Sequence, residues 1–302
     1  LCSVEGSVLI QKNPTMIVAL LSELRQVGNE IRIYDNPKLE NLGIESLSYV
    51  EQDLTVLDNV NLATLNMKSL GLVGGDLWIG ANDQLTGLGL DQLQAVNGTF
   101  RVSGNDSISD LSLENVEEIG VSLSISRNQT LKTISLSKLS IAPANITIEE
   151  NQGLLHLSFN GLSSAQNIAI SLNGALDTAD LSTLTEVDSI FMNQNDAITS
   201  LKLDNLSTVL GSLSIQRNDA LKSINASQLK SADSIYFYQN AITELDFSSL
   251  VSNTNSFSIR YMKDLESLSI PNLESVGEIT VYACTKIGQF SAPKVDFLNQ
   301  LR

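Results

Sequence analysis

Eleven asparagines recur at near-fixed spacing along this chain: Asn13, Asn36, Asn59, Asn82, Asn105, Asn128, Asn151, Asn173, Asn195, Asn218 and Asn240. The gaps are 23 residues six times, then 22, 22, 23 and 22, and the same interval continues to Met262 and Cys284. A fixed period of this size is the signature of a solenoid, in which each repeat is one coil stacked on the next. No coil buries its own apolar residues alone, so stacking must supply the core. This overrides the one-or-two-domain prior for 302 residues. The expectation is one solenoid over residues 1–302. It comprises an N-terminal cap and first coil over 1–30, regular coils over 31–284, and a last coil with the C-terminal end over 285–302.

Before each ladder position stands an alternating triplet, such as Ile31-Arg32-Ile33, Leu54-Thr55-Val56 or Leu77-Trp78-Ile79. Alternation places the outer two residues inward and the middle one outward. A second pattern follows each Asn, as in Leu39, Leu42-Gly43-Ile44, Leu47 and Val50, or Leu131, Ile134-Ser135-Leu136, Leu139 and Ala142. The consensus L-x-I-x-x-N-x-x-L-x-x-L-x-L-x-x-L-x-x-V predicts an all-β, right-handed parallel β-solenoid with at least two sheets. It has about 13 coils of 22–23 residues and no helix between ladder positions. The exception is Pro14 to Val27, whose spacing and early proline predict a short N-terminal capping helix. The ladder Asn lies at a corner, among backbone groups without strand partners. Its two donors and one acceptor suit it to satisfy them and to bond the next copy.

The segments Val121-Ser122-Leu123-Ser124-Ile125-Ser126-Arg127-Asn128-Gln129-Thr130-Leu131 and Gly211-Ser212-Leu213-Ser214-Ile215-Gln216-Arg217-Asn218-Asp219-Ala220-Leu221 resemble the G-x-L-x-I-x-x-N-x-x-L core of the receptor L-domain family. Those leucine-rich-repeat-like domains form ligand-binding lobes of insulin- and epidermal-growth-factor-type receptors. They also recur in fungal GPI-anchored cell-wall proteins of the sporulation-specific and cell-wall-organisation type. Pro14 to Val27 is similar to the family's capping helix. The resemblance covers nearly the whole chain. The cysteine-rich modules and most disulfides of the animal receptors are missing, which points to the fungal or protist surface-protein branch.

Charge and composition narrow the partners. Eighteen basic against 34 acidic residues give a net charge of −16, which argues against nucleic acid and anionic membranes. The chain has neither an initiator Met nor a long apolar run. The expectation is a trimmed, secreted product that reaches a membrane only through a removed anchor. Of six N-x-S/T sequons, Asn105 and Asn128 belong to the buried ladder. Asn97, Asn145, Asn205 and Asn225 should reach solvent and carry glycans. Cys2 and Cys284 lie twelve coils apart, roughly 58 Å at the strand spacing, far beyond the about 7 Å a disulfide spans. Either they pair between molecules, end to end, or Cys284 replaces Asn in the ladder as a small buried thiol.

No catalytic, cofactor or metal motif is present, so no enzyme and no cofactor are expected. The single His156 reads as a surface or corner imidazole. Asp83, Asp106, Asp196 and Asp219 each follow a ladder Asn, where they favour turn formation over a Ca²⁺ column. Candidate binding residues are aromatic. Phe191, Tyr236, Tyr238, Tyr261 and Tyr282 occupy outward and edge positions late in the chain, and neighbouring outward tyrosines would form a platform for a sugar or protein. Trp78, read as flanked by Arg32 and Arg101 on adjoining coils, makes a second patch. Aromatics also simply suit exposed strand positions. The resulting expectation is a non-enzymatic secreted or cell-surface glycoprotein with a structural or adhesive role in a cell wall or matrix. The alternatives are a receptor ectodomain capturing a protein or glycan ligand on its first face, and a filament protomer joined end to end.

Overall fold

The computed structural model describes residues 2–140 and 145–295; Ala142 of the sixth coil and residues 296–302 of the last coil lie outside them. The chain divides into two compact units, Leu1–Leu154 and Leu155–Arg302. Each is an all-β parallel solenoid, and no helix occurs among the described residues.

In the first unit the described strands lie on three faces. The first face is built by Val8–Gln11, Ile31–Tyr34, Leu54–Leu57, Leu77–Gly80, Thr99–Ser103, Ser122–Ser126 and Asn145–Glu149. Pairing is parallel and in step with the repeat: Ile31 faces Leu54, and Leu54 faces Leu77. The second face carries short strands such as Val18–Leu20, Asn41–Gly43 and Thr64–Leu65. A third carries Gln26–Val27, Tyr49–Val50, Leu72–Val73, Ala95–Val96 and Glu118–Ile119. Sequence reasoning anticipated at least two faces. The third is marked only by the last apolar residue of the consensus, in strands too short to alternate.

The consensus spacings are turns. Leu39 donates its N–H to the Asn36 carbonyl at 3.0 Å, and Leu47 donates to the Ile44 carbonyl at 3.0 Å. Both N-x-x-L and L-x-x-L are thus β-turns whose last residue drops into the core. Ile31, Ile33, Leu39, Leu47 and Val50 are all at most 1 % exposed. Each such side chain contributes about 1.5–3 kcal/mol of burial.

In the second unit the third and first faces merge into longer strands: Ser164–Ser171, Glu186–Asn193, Thr208–Gln216, Ser231–Tyr238, Ser252–Arg260 and Ser275–Tyr282. The register slips between Val187 and Ile190, Val209 and Ser212, Ala232 and Ser234, and Asn253 and Ser256. At each bulge the spacing between paired residues changes by one, as from 22 at Val187–Val209 to 23 at Ile190–Leu213. The core here gains aromatic bulk. Phe247 meets Phe237 and Phe257 edge-on, at 6.0 and 5.5 Å between centroids. The first-face strands of the two units delimit about 12 turns in all, rather than 13 full coils.

The capping helix expected over Pro14 to Val27 is absent. Met16 closes a turn on Asn13, and Val18–Leu20 pairs in parallel with Asn41–Gly43. Ladder bonds and strand pairing with the next coil outweigh a marginal local helical preference. Ile17, Val18 and Leu20 are left 51 %, 46 % and 70 % exposed.

Candidate binding faces

The ladder fixes what the outer faces can present. In the first unit each Asn from Asn13 to Asn128 donates its backbone N–H to the Oδ1 of the next, at 3.1–3.2 Å. The side-chain amide of Asn82 also donates to the carbonyls of Gly80 and Val56, at 2.9 and 3.0 Å, and to Asn105 Oδ1 at 3.3 Å. The corner carbonyls are therefore satisfied by one side chain per coil. In the second unit Asn173, Asn195 and Asn218 repeat the link to the next Asn. Asn36 through Asn218 are fully buried, Asn240 nearly so, and Asn13 half-buried. The ladder is a scaffold, and recognition falls to outward side chains.

Immediately before each ladder position the backbone turns left-handed. Lys12, Asp35, Asp58, Ala81, Arg127 and Glu150 in the first unit have φ between 50° and 57°, with Gly104 at 63°. Leu172, Gln194, Arg217, Gln239, Tyr261 and Ala283 do the same in the second. This column escaped sequence reasoning because only one of its members is glycine. The strain is tolerated because the ladder bonds on its C-terminal side hold the corner. Its effect is to splay these side chains outward at the edge of the first face.

In the second unit that edge carries an aromatic row. Tyr236 and Tyr238 are nearly parallel, at 6.1 Å between centroids and 8° between planes. Tyr238 meets Tyr261, and Tyr261 meets Tyr282, edge-on at 5.4 Å each. Arg217 lies 5.6 Å over the Tyr238 ring. The Tyr282 phenol first, and burial second, push the Tyr261 phenol above its ordinary range. Phe191, 45 % exposed, stands two strands from Tyr236 across Ser214 and makes no ring contact with the row. Ser214, Ser258 and Thr280 of the outward column are nearly buried. Beside Tyr261 runs a groove of about 480 Å³ whose walls include Gln194, Asp196, Arg217, Asp219, Lys263 and Asp264. Asp196 and Asp219, which the sequence marked as turn formers, thus also line this groove. Nothing in the sequence pattern alone pointed to Gln194, Lys263 or Asp264.

In the first unit Trp78 is 39 % exposed, with the Arg101 guanidinium 5.3 Å from its ring centroid. The register corrects the expected flanking. Arg101 is on the adjoining strand, but Thr55 intervenes between Trp78 and Arg32. Arg32 pairs with Glu30 at 2.7 Å.

Both cysteines are free; Cys2 is exposed. Cys284 takes the ladder position, its thiol directed at the carbonyls of Tyr282 and Ile259 at 3.6 and 3.8 Å. Burial pushes this thiol up, which lowers its thiolate fraction at neutral pH. Asn97, Asn145, Asn205 and Asn225 are exposed, with Asn145 opening the strand Asn145–Glu149. Asn205 and Asn225 each donate one side-chain hydrogen bond, to the Ser182 carbonyl at 2.7 Å and to Asp204 at 2.8 Å. An amide nitrogen has two hydrogens, so each keeps one for a glycan bond. His156 is exposed, its Nδ1 3.0 Å from the Thr178 hydroxyl. Among the described residues no cluster of three or more His, Cys, Asp or Glu is placed to hold a metal ion, and Asp83 and Asp106 are exposed turn residues. No family model, no curated protein and no solved structure matches this chain.

Proposed function

We propose that this chain is a solenoid of the right-handed receptor L-domain type and acts without catalysis. In this reading it is a secreted or cell-surface glycoprotein with a structural or adhesive role in a cell wall or extracellular matrix. Its tyrosine face engages an extracellular protein or glycan. The observation that carries the reading is the connected row Tyr236–Tyr238–Tyr261–Tyr282 beside a groove of mixed charge. Tyrosine supplies large contact area together with a hydroxyl, the combination that dominates recognition surfaces.

The test is retention of the purified protein on isolated wall and matrix fractions. The double variant Tyr261→Ala, Tyr282→Ala, with both side chains substantially exposed, should fold normally and lose about tenfold in affinity. Unchanged retention would sink the reading. Peptide mapping by mass spectrometry of protein secreted from a eukaryotic host should find glycans on Asn97, Asn145, Asn205 and Asn225. It should find none on Asn105 or Asn128.

A second reading, end-to-end self-association into a filament, is favoured by Leu9, Ile17, Val18 and Leu20 at the first coil, all of them exposed. Unpaired strand edges with apolar neighbours accept further strands. Concentration-dependent growth in light scattering, abolished by Leu20→Lys, is the expected outcome. Scattering that stays monomeric rules it out. A receptor ectodomain remains the third reading, distinguished by capture of a soluble ligand in place of a wall fraction.

A further inference from the structure

The first unit contains a cleft that the tyrosine face does not explain. Arg32, Thr55 and Trp78 occupy successive strands at one outward register position. Arg32 and Trp78 are exposed, and Thr55 between them is short and half-buried. Two strand spacings separate the Arg32 and Trp78 backbones by ~9.6 Å. Carbon contacts are made at about 3.5–4.0 Å, so a ring held between the two side chains needs roughly 7–8 Å. Arg101 covers the Trp78 ring from the opposite strand. The uncovered side therefore faces the gap above Thr55. The space, about 620 Å³, is also bounded by Tyr34, Asp53 and Asp76.

The polar lining decides what kind of ring fits. Arg32 and Arg101 contribute +2 and Asp53 and Asp76 contribute −2 to the lining, and Glu30 pairs with Arg32 at 2.7 Å, so the cleft carries no excess positive charge. The two carboxylates are fixed by backbone donors. Asp53 accepts the Asp76 N–H at 2.9 Å and Asp76 accepts the Thr99 N–H at 2.7 Å, each through Oδ1. Their Oδ2 atoms remain as acceptors, while the guanidinium groups are pure donors. A hydroxyl is donor and acceptor at once and satisfies both. An anionic sugar would meet the two carboxylates, and a bare aromatic ring would leave them unanswered.

We propose that this cleft binds a neutral pyranose of a glycan, stacked on Trp78 and walled by Arg32 above Thr55. It is a glycan subsite separate from the tyrosine row.

Trp78 is the only tryptophan in the chain, so emission excited at the red edge reports this cleft alone. The full chain is titrated with neutral gluco- and manno-oligosaccharides of both anomeric linkages, with a galacturonic acid oligomer, and with N-acetyltyrosinamide. Binding is read by tryptophan emission and calorimetry. The expected result is saturable binding of at least one neutral oligosaccharide, with the acidic oligomer and the aromatic amide inert. Thr55→Tyr, which fills the floor, and Arg32→Ala, which removes an exposed wall, should each weaken it about tenfold or more. Arg32→Ala carries no risk to the core if Thr55→Tyr fails to fold. Tyr261→Ala should leave this binding unchanged, which separates its outcome from that of the tyrosine face. Silence toward every neutral sugar overturns the proposal. So does binding indifferent to Arg32→Ala, or a preference for the acidic oligomer or the aromatic amide.

Discussion

Asn240 donates its backbone N–H to the sulfur of Met262 at 3.4 Å, where the preceding links of the ladder end on an amide oxygen. The side-chain amide of Asn240 also reaches that sulfur, at 3.8 Å. A thioether is a weak acceptor and offers no donor, so the ladder ends electrostatically at this coil while the turn itself persists. Met262→Asn should restore a two-bond link from Asn240. It should raise stability by about 1 kcal/mol, measured as a shift of the urea midpoint at constant slope. A midpoint that falls would mean that thioether packing outweighs the restored bonds.

Truncation inside the ladder runs the other way. Asn128 accepts from Asn105 and donates to Ser126, Val102 and Asn151. Asn128→Ala strands several buried groups at once and should cost about 3 kcal/mol or more. Chemical denaturation checks this. A loss below about 1 kcal/mol would show that the corner satisfies itself without the side chain.

Asn253 is fully buried, and neither of its side-chain polar atoms has a hydrogen-bond partner. Its register neighbours are Ala232 and Val276. Asn253→Val removes an unpaid desolvation and should stabilise the second unit by about 1–3 kcal/mol. Thermal unfolding gives the sign directly, and a destabilised variant would reveal a bonding role for this amide.

The left-handed column makes paired predictions. At Ala81, φ is 50°, and Ala81→Gly should relieve strain worth up to about 1 kcal/mol after the extra chain entropy of glycine is deducted. Gly104→Ala should lose a comparable amount. Its added methyl would make ordinary van der Waals contact, with the nearest atom 3.7 Å away, so any loss reports backbone strain without a clash. Opposite signs for the two substitutions are the required outcome.

Acid sensitivity follows from Asp180. Burial opposes its ionisation, but Lys202 at 2.8 Å and the Ser182 N–H at 3.1 Å outweigh it and hold the carboxyl below its ordinary range. The folded value lies below the unfolded one, so the contribution is present above about pH 4 and disappears as pH falls through the folded value. Melting curves from pH 7 to pH 2.5 should therefore decline more steeply for the wild type than for Asp180→Asn. Comparison with the variant cancels the general effect of discharging a chain of net charge −16. Parallel curves would leave the Asp180–Lys202 pair with no role in stability.

Much of this was legible without coordinates. The Asn spacing and the alternating triplets set the repeat, the inward scaffold and the burial of Asn105 and Asn128, because a periodic chain repeats one set of local bonds from coil to coil. The same spacing placed Cys284 in the ladder. Tertiary structure decided what local pattern leaves open. Pro14 to Val27 has helical spacing, yet the adjacent coil offers Val18–Leu20 a strand partner, and that pairing wins. Whether outward aromatics meet depends on lateral register, which placed Tyr238, Tyr261 and Tyr282 in one row and left Phe191 apart. Register also inserted Thr55 between Trp78 and Arg32. Sequence by itself determined which residues face in. Only the stacking of coils, which brings together residues 22 or 23 positions apart, decided which outward residues share a surface.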